Sequence, residues 1–128
     1  MKIFLISLLA FITAPAFSQT KNMDSTHSIE IIRYKIEPAN AASFEKAYAE
    51  AGKLLQTSPF CQYYQVIHGV DEPEKYIVII HWTSKEEHLN GFRKSAVFQP
   101  FFNLVRQFYN NIEEMKHYEG TATRWRRQ

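Results

Sequence analysis

The segment Tyr76-Ile77-Val78-Ile79-Ile80-His81-Trp82 is apolar on both faces of the strand it predicts. Successive side chains of a strand point to opposite sides of its sheet. Tyr76, Val78, Ile80 and Trp82 therefore face one way, and Ile77, Ile79 and His81 face the other. A strand with one wet face alternates apolar with polar residues instead. This one needs cover on both sides, and that need bounds what the rest of the chain can build.

The neighbouring segments supply cover for one side. Residues Ile29 to Ile36 predict a first strand, with Ile32, Tyr34 and Ile36 on one face and Ile31 and Arg33 on the other. Glu37-Pro38 ends it. From about Ala39 to Thr57 the residues Phe44, Ala47, Tyr48, Ala51, Leu54 and Leu55 recur at helical spacing and form one stripe. Ser58-Pro59 stops that helix. Cys61 to His68 reads as a second strand, and Gly69 to Lys75 as a turn. After the apolar third strand, Ser84 and Glu87 have the spacing of a capping box, opening a short helix that ends near Gly91. A further helix is expected from about Ser95 to Tyr109, with Pro100 starting or kinking it. Ile112 to Glu119 is the last strand. The order β-α-β-β-α-α-β is that of an α+β, ferredoxin-like split βαβ domain.

The helices of such a unit shelter one side of the sheet. The other side must find a cover of its own, and a second copy related by two-fold symmetry supplies one. A homodimer is therefore expected. The competing arrangement, a monomer whose ends fold over the sheet, would have to use a polar lead-in and a basic tail, and both are poor lids.

The ends of the chain have their own signals. Lys2, the apolar run Ile3 to Ile12 and the small residues Ala16 and Ser18 read as a signal peptide over residues 1–18, cleaved near Ser18. The run is shorter than the roughly 20 residues that span a bilayer, which separates it from a membrane anchor, and no later stretch is long enough to insert. The expectation is an exported protein, periplasmic or secreted, with about 110 residues after cleavage. Residues 19–28 form a polar, flexible lead-in, 29–119 the domain and 120–128 a basic tail. Cys61 is the only cysteine, so no intrachain disulfide forms. It opens a strand, where a buried, inert thiol is the common case; a reactive one would need an electropositive, exposed setting. The formal charge of +2 and the absence of a recognisable motif argue against nucleic acid as a partner.

The run Trp82-Thr83-Ser84-Lys85-Glu86-Glu87-His88-Leu89-Asn90-Gly91-Phe92-Arg93-Lys94-Ser95, followed by Phe98 and Phe101, resembles the signature of the antibiotic biosynthesis monooxygenase superfamily. Asp71-x-Pro73 before the third strand fits as well, as does the opening strand followed by Pro38 and an Ala-rich helix. The resemblance covers about residues 28 to 119. It implies a dimeric α/β barrel in which two ferredoxin-like sheets pack face to face, with a pocket in each subunit between sheet and helices. It implies cofactor-independent monooxygenases that oxidise quinols and anthrones, relatives that bind or degrade haem, and others without known activity.

Oxygenation without a cofactor needs an electron-rich ring, removal of its phenolic proton and exclusion of water. Trp82, Tyr34, Tyr64 and Phe92 are the candidate ligand-pocket walls. His88 is the candidate catalytic base or hydrogen-bond donor, because a histidine titrates near neutral pH. Each has a plainer alternative as a packing residue. His81 is expected at the dimer interface, His27 lies in the lead-in, and no role is assigned to His117. The haem-degrading relatives carry an Asn on the first strand, where Ile32 and Arg33 stand here. No two histidines are spaced i, i+4 and there is no second cysteine, so neither a metal nor any other cofactor is expected. The leading expectation is a cofactor-independent monooxygenase acting on a quinol-like or polyphenolic molecule. The alternatives are a non-catalytic binding protein for a small apolar ligand and, third, a haem binder. Export places the ligand outside the inner membrane.

Overall fold

The computed structural model describes residues 27–128; the predicted leader over 1–18 and residues 19–26 of the lead-in lie outside the described residues. Strand β1 spans Ser28–Lys35, helix α1 Ala41–Thr57, β2 Cys61–His68, β3 Lys75–Trp82, α2 Phe98–Val105 and β4 Ile112–Glu119. The strands form one antiparallel sheet in the order β2-β3-β1-β4. The expected α+β, ferredoxin-like topology is the observed one.

Burial alternates along the central strands as their pleat requires. In β3, Tyr76, Val78, Ile80 and Trp82 are buried, while Ile77, Ile79 and His81 on the other face are half-buried. In β1, Ser28, Glu30, Ile32 and Tyr34 are buried beneath the helices. The α1 stripe Phe44, Ala47, Tyr48, Ala51 and Leu55 packs on them. Phe44 stands at the centre, with ring contacts to Tyr34, Tyr48, Tyr76 and Phe108. The hydroxyls of Tyr34 and Tyr48 hydrogen-bond each other inside this core. Burial holds both phenols well above the usual tyrosine range.

The helical stretch after β3 departs from expectation. Ser84 caps it as predicted: the Glu87 backbone N–H donates to Ser84 Oγ at 3.0 Å, and Ser84 Oγ donates to the Glu87 carboxylate at 3.4 Å. It then widens into a π-helical turn over Glu87–Gly91 and a single 3₁₀ turn over Phe92–Lys94. Gly91 is required by close approach, since a Cβ there would lie 2.8 Å from the ring of Phe60. The single helix predicted over 95–109 is instead α2 followed by a 3₁₀ segment, Arg106–Asn111. Pro100 is the third residue of α2, where a missing N–H costs nothing because the first-turn donors have no partners within the helix. It begins the helix and does not kink it.

The face of the sheet away from the helices carries Ile29, Ile31, Ile77, Ile79 and His81, all half-buried, with Tyr63, Ile67 and Tyr118 exposed. No described helix lies on it. Arg33 and Lys116 both pair with Glu114, at 3.0 Å each.

Phe44 is completely buried and joins four aromatic neighbours. Phe44→Ala is expected to lower the unfolding free energy by about 3–5 kcal/mol, read from urea denaturation. A loss under about 1 kcal/mol would show that this cluster is not the centre of the core.

Candidate functional site

The register of the sheet places an acidic residue among the aromatics. Glu30 of β1 lies directly opposite Ile80 of β3 and His117 of β4, and its side chain shares the covered face with Ile32 and Tyr34. It is only 2% exposed. Trp82 Nε1–H donates to Glu30 Oε2 at 2.9 Å, while Oε1 is buried without a hydrogen-bond partner. A carboxylate stripped of water strongly favours its protonated form. Burial accordingly pushes the Glu30 carboxyl up, against opposing pulls from the Trp82 hydrogen bond and the Arg93 charge.

His88 lies on the π turn, flat against Trp82, with ring centroids 4.2 Å apart and planes 4° apart. The wide turn matters here: the Phe92 N–H is shared between the carbonyls of Glu87 and His88, and both His88 and Phe92 are buried against Trp82. Single π turns often mark functional sites.

The protons of this cluster follow from its donors. An arginine can only donate, and Arg93 Nε–H donates to His88 Nε2 at 3.4 Å. His88 Nε2 must therefore carry a lone pair. The His88 proton sits on Nδ1, which donates to His117 Nε2 at 2.8 Å. His117 in turn holds its proton on Nδ1. Burial, then Arg93, then His117 bring the His88 pKa down to about 3. His117, half-buried, is lowered by burial and by Lys85 and Arg93.

Glu30, His88 and His117 offer ligand-type atoms within 4.8 Å of one another. His88, however, turns Nδ1 to His117 and Nε2 toward Glu30 Oε2, 3.7 Å away. A metal needs one lone pair from each residue converging on a point. The observed arrangement is a chain of contacts: Trp82 donates to Glu30 Oε2 and stacks on His88, and His88 hydrogen-bonds the half-buried His117.

A cavity of about 250 Å³ opens beside this chain. Glu30, His88 and Arg93 supply its polar groups. Trp82, Phe92, Phe98, Phe101, Phe102 and Tyr109 form its aromatic wall. A wider, shallower depression of about 550 Å³ lies between α1 and β2, lined by Glu45, Tyr48, Tyr64, His68 and Tyr76 among others. It lacks a buried ionisable group of the Glu30 kind.

The structure thus brings together three of the five residues singled out from sequence: His88, Trp82 and Phe92. Tyr34 and Tyr64 do not line this cavity. Tyr34 lies two same-face positions beyond Glu30 along β1, and its hydroxyl is committed to Tyr48. Tyr64 lies on edge strand β2 and leans onto α1, where its hydroxyl donates to the Tyr48 carbonyl at 2.6 Å. Glu30, Arg93 and His117 were missed. Glu30 had a readable signal, since an acid at the position shared by Ile32 and Tyr34 must face the core. Arg93 stood in the Trp82–Ser95 signature but was given no role, and His117 had no signal, because only the strand register brings it near.

The sequence model of the antibiotic biosynthesis monooxygenase family matches residues 28–104. The Bacillus subtilis (strain 168) protein YczJ, itself uncharacterised, is 25% identical over 76 residues, spanning 59% of this chain and 80% of its own. Among solved structures, a Bordetella bronchiseptica protein classed with the antibiotic biosynthesis monooxygenases superposes with a TM-score of 0.62 at 23% identity, covering 77% of this chain and 98% of that one. SnoaB, a cofactor-independent oxygenase from Streptomyces nogalater, superposes with a TM-score of 0.59 at 18% identity, covering 79% and 97%.

The two shifted groups act on stability in opposite pH windows. The folded Glu30 carboxyl binds its proton more tightly than the unfolded one, so its contribution is full below about pH 4.5 and is lost as pH rises through the folded value. His88 takes up its proton only near pH 3, whereas the unfolded chain does so near 6.5, so its contribution is lost as pH falls through that range. Glu30→Gln keeps an acceptor for Trp82 and removes the first effect. The variant is expected to be at least as stable as wild type at pH 8 and to gain relative to it between pH 5 and 8, measured by urea unfolding. A variant that loses relative stability over that interval would place an ionised, well-satisfied carboxylate at Glu30.

Proposed function

The chain belongs to the antibiotic biosynthesis monooxygenase family, and from that membership we propose that it oxidises a quinol-like or phenolic small molecule with O₂, using no bound metal or flavin. The observation that carries this reading is the buried, unpartnered Oε1 of Glu30 at an aromatic-walled cavity. Burial raises its pKa above the usual carboxylate value, which makes its ionised form a stronger base. His88, held neutral down to about pH 3, is a weak base; its part is to stack on Trp82 and keep the Glu30 side of the cavity ordered.

In this reading the substrate ring slides between the phenylalanines and gives its hydroxyl proton to Glu30. The resulting electron-rich anion reacts with O₂ at a ring carbon. One oxygen atom stays on that carbon as a carbonyl, and the other leaves as water, taking the ring-carbon hydrogen and the proton returned by Glu30. The aromatic walls keep bulk water from quenching the anion.

We propose that the working unit is an exported homodimer. The apolar open face, centred on Ile31 and Ile79, supports a second copy as its cover. Among the described residues no helix is long and apolar enough to cross a membrane.

Oxygen uptake with menadiol or an anthrone is expected to exceed the spontaneous rate. Glu30→Gln should lower it about 10²-fold, and His88→Ala should lower it by a smaller factor. Saturable binding without uptake would make the chain a carrier of the same ligand class, and a Soret shift with haemin would favour the haem-binding relatives. Chain recovered after export is expected to begin at Gln19 and to sediment as a dimer at micromolar concentration, with Ile79→Lys sedimenting as a monomer. A wild-type monomer, or a chain retaining residues 1–18, would refute the corresponding half of this proposal.

A further inference from the structure

The polar groups of the cavity are of two kinds, and they stand close together. The Glu30 carboxyl and the Arg93 guanidinium both approach the same nitrogen, His88 Nε2, at 3.7 Å and 3.4 Å. Glu30 is at the buried end, with Oε1 open. Arg93 is exposed, so it marks the rim. Among the described residues its only hydrogen bond uses Nε, and it forms no ion pair with a carboxylate. That contact pins the guanidinium from one side. The two terminal nitrogens are left for something else, and their planar fork matches a carboxylate held by two parallel hydrogen bonds. An arginine fixed by a neutral imidazole at the lip of an aromatic cavity is an anion site in search of an anion. The cavity floor offers the complementary feature, a carboxyl oxygen that lacks a donor.

We propose that this cavity selects a hydroxy-aromatic acid, whose ring lies between Trp82 and the phenylalanines, whose hydroxyl donates to Glu30 Oε1 and whose carboxylate is held end-on by Arg93. The inference rests on the reading that this cavity is the substrate site, and it adds the charge and the substitution pattern of the substrate. The hydroxyl and carboxylate must not be neighbours on the ring, because an ortho pair would close its own hydrogen bond and leave Glu30 unserved. A meta arrangement keeps the two groups apart and leaves each free for its own partner. Arg93 is thus a specificity residue: it sets which aromatic enters, while Glu30 acts on the hydroxyl.

The test is calorimetric and needs no turnover. Three matched probes are 4-hydroxy-2-naphthoate, 1-naphthol, which lacks the carboxylate, and 2-naphthoate, which lacks the hydroxyl. The hydroxy acid is expected to bind the full-length mature protein at least tenfold more tightly than either parent. Arg93→Gln should bring the hydroxy acid down to the affinity that the same variant shows for 1-naphthol, with an unchanged far-UV circular dichroism spectrum certifying the fold. Glu30→Gln should shrink the preference for the hydroxy acid over 2-naphthoate. Equal affinity for 1-naphthol and the hydroxy acid in wild type, or an unchanged hydroxy acid affinity in Arg93→Gln, would overturn the assignment of Arg93 and leave the cavity reading standing. Binding of none of the three probes would overturn both.

Discussion

The register of β1 between β3 and β4 is the constraint from which the rest of the molecule follows. With Glu30 opposite both Ile80 and His117, one parity of the strand goes under the helices and the other to the open face. A slip of one residue would exchange the two faces. Ile31 and Arg33 would enter the core, and Glu30 would leave it. The aromatic cluster of Tyr34, Phe44, Tyr48 and Tyr76 holds one end of this register by packing. The Trp82–Glu30 hydrogen bond holds the other.

Those two ends have different jobs. At the Tyr34 end every hydroxyl finds a protein partner: Tyr34 with Tyr48, Tyr64 with the Tyr48 carbonyl, Tyr76 with Glu45. This end is a closed, satisfied core. At the Glu30 end, one carboxyl oxygen has no partner, and the arginine at the rim uses a single nitrogen. Leaving a buried polar atom unpaired costs about 1–3 kcal/mol, so the fold tolerates there what it avoids elsewhere. Local concessions of this kind concentrate where a ligand completes the bonding.

Proton positions give the site its direction. Because Arg93 can only donate, it sets the lone pair on His88 Nε2, and the Nδ1 proton then points at His117. Burial of His88, the Arg93 charge and His117 keep the imidazole neutral. A positively charged histidine at this point would compete with Arg93 for an anion and would lower the basicity of Glu30. The lowered His88 and raised Glu30 pKa values are therefore one arrangement seen from two groups, a low-dielectric corner in which the single permanent charge is the guanidinium at its rim.

What the sequence determined by itself was whatever depends on short-range periodicity. The two-faced apolar strand at Tyr76–Trp82, the stripe from Phe44 to Leu55 and the Ser84 cap are local patterns, and each became the element it predicted. So did the β-α-β-β-α-α-β order and, with the signature from Trp82 to Ser95, the family. His88, Trp82 and Phe92 were legible as neighbours because one strand end and one turn carry all three. Tertiary structure alone decided that Tyr34 and Tyr64 serve elsewhere, that residues 87–91 widen into a π turn, and that Glu30 meets His117 across 87 positions of chain. The reason is physical: pairing between distant strands and the exact width of a helical turn are settled by how whole faces pack, and no window of neighbouring residues contains that information.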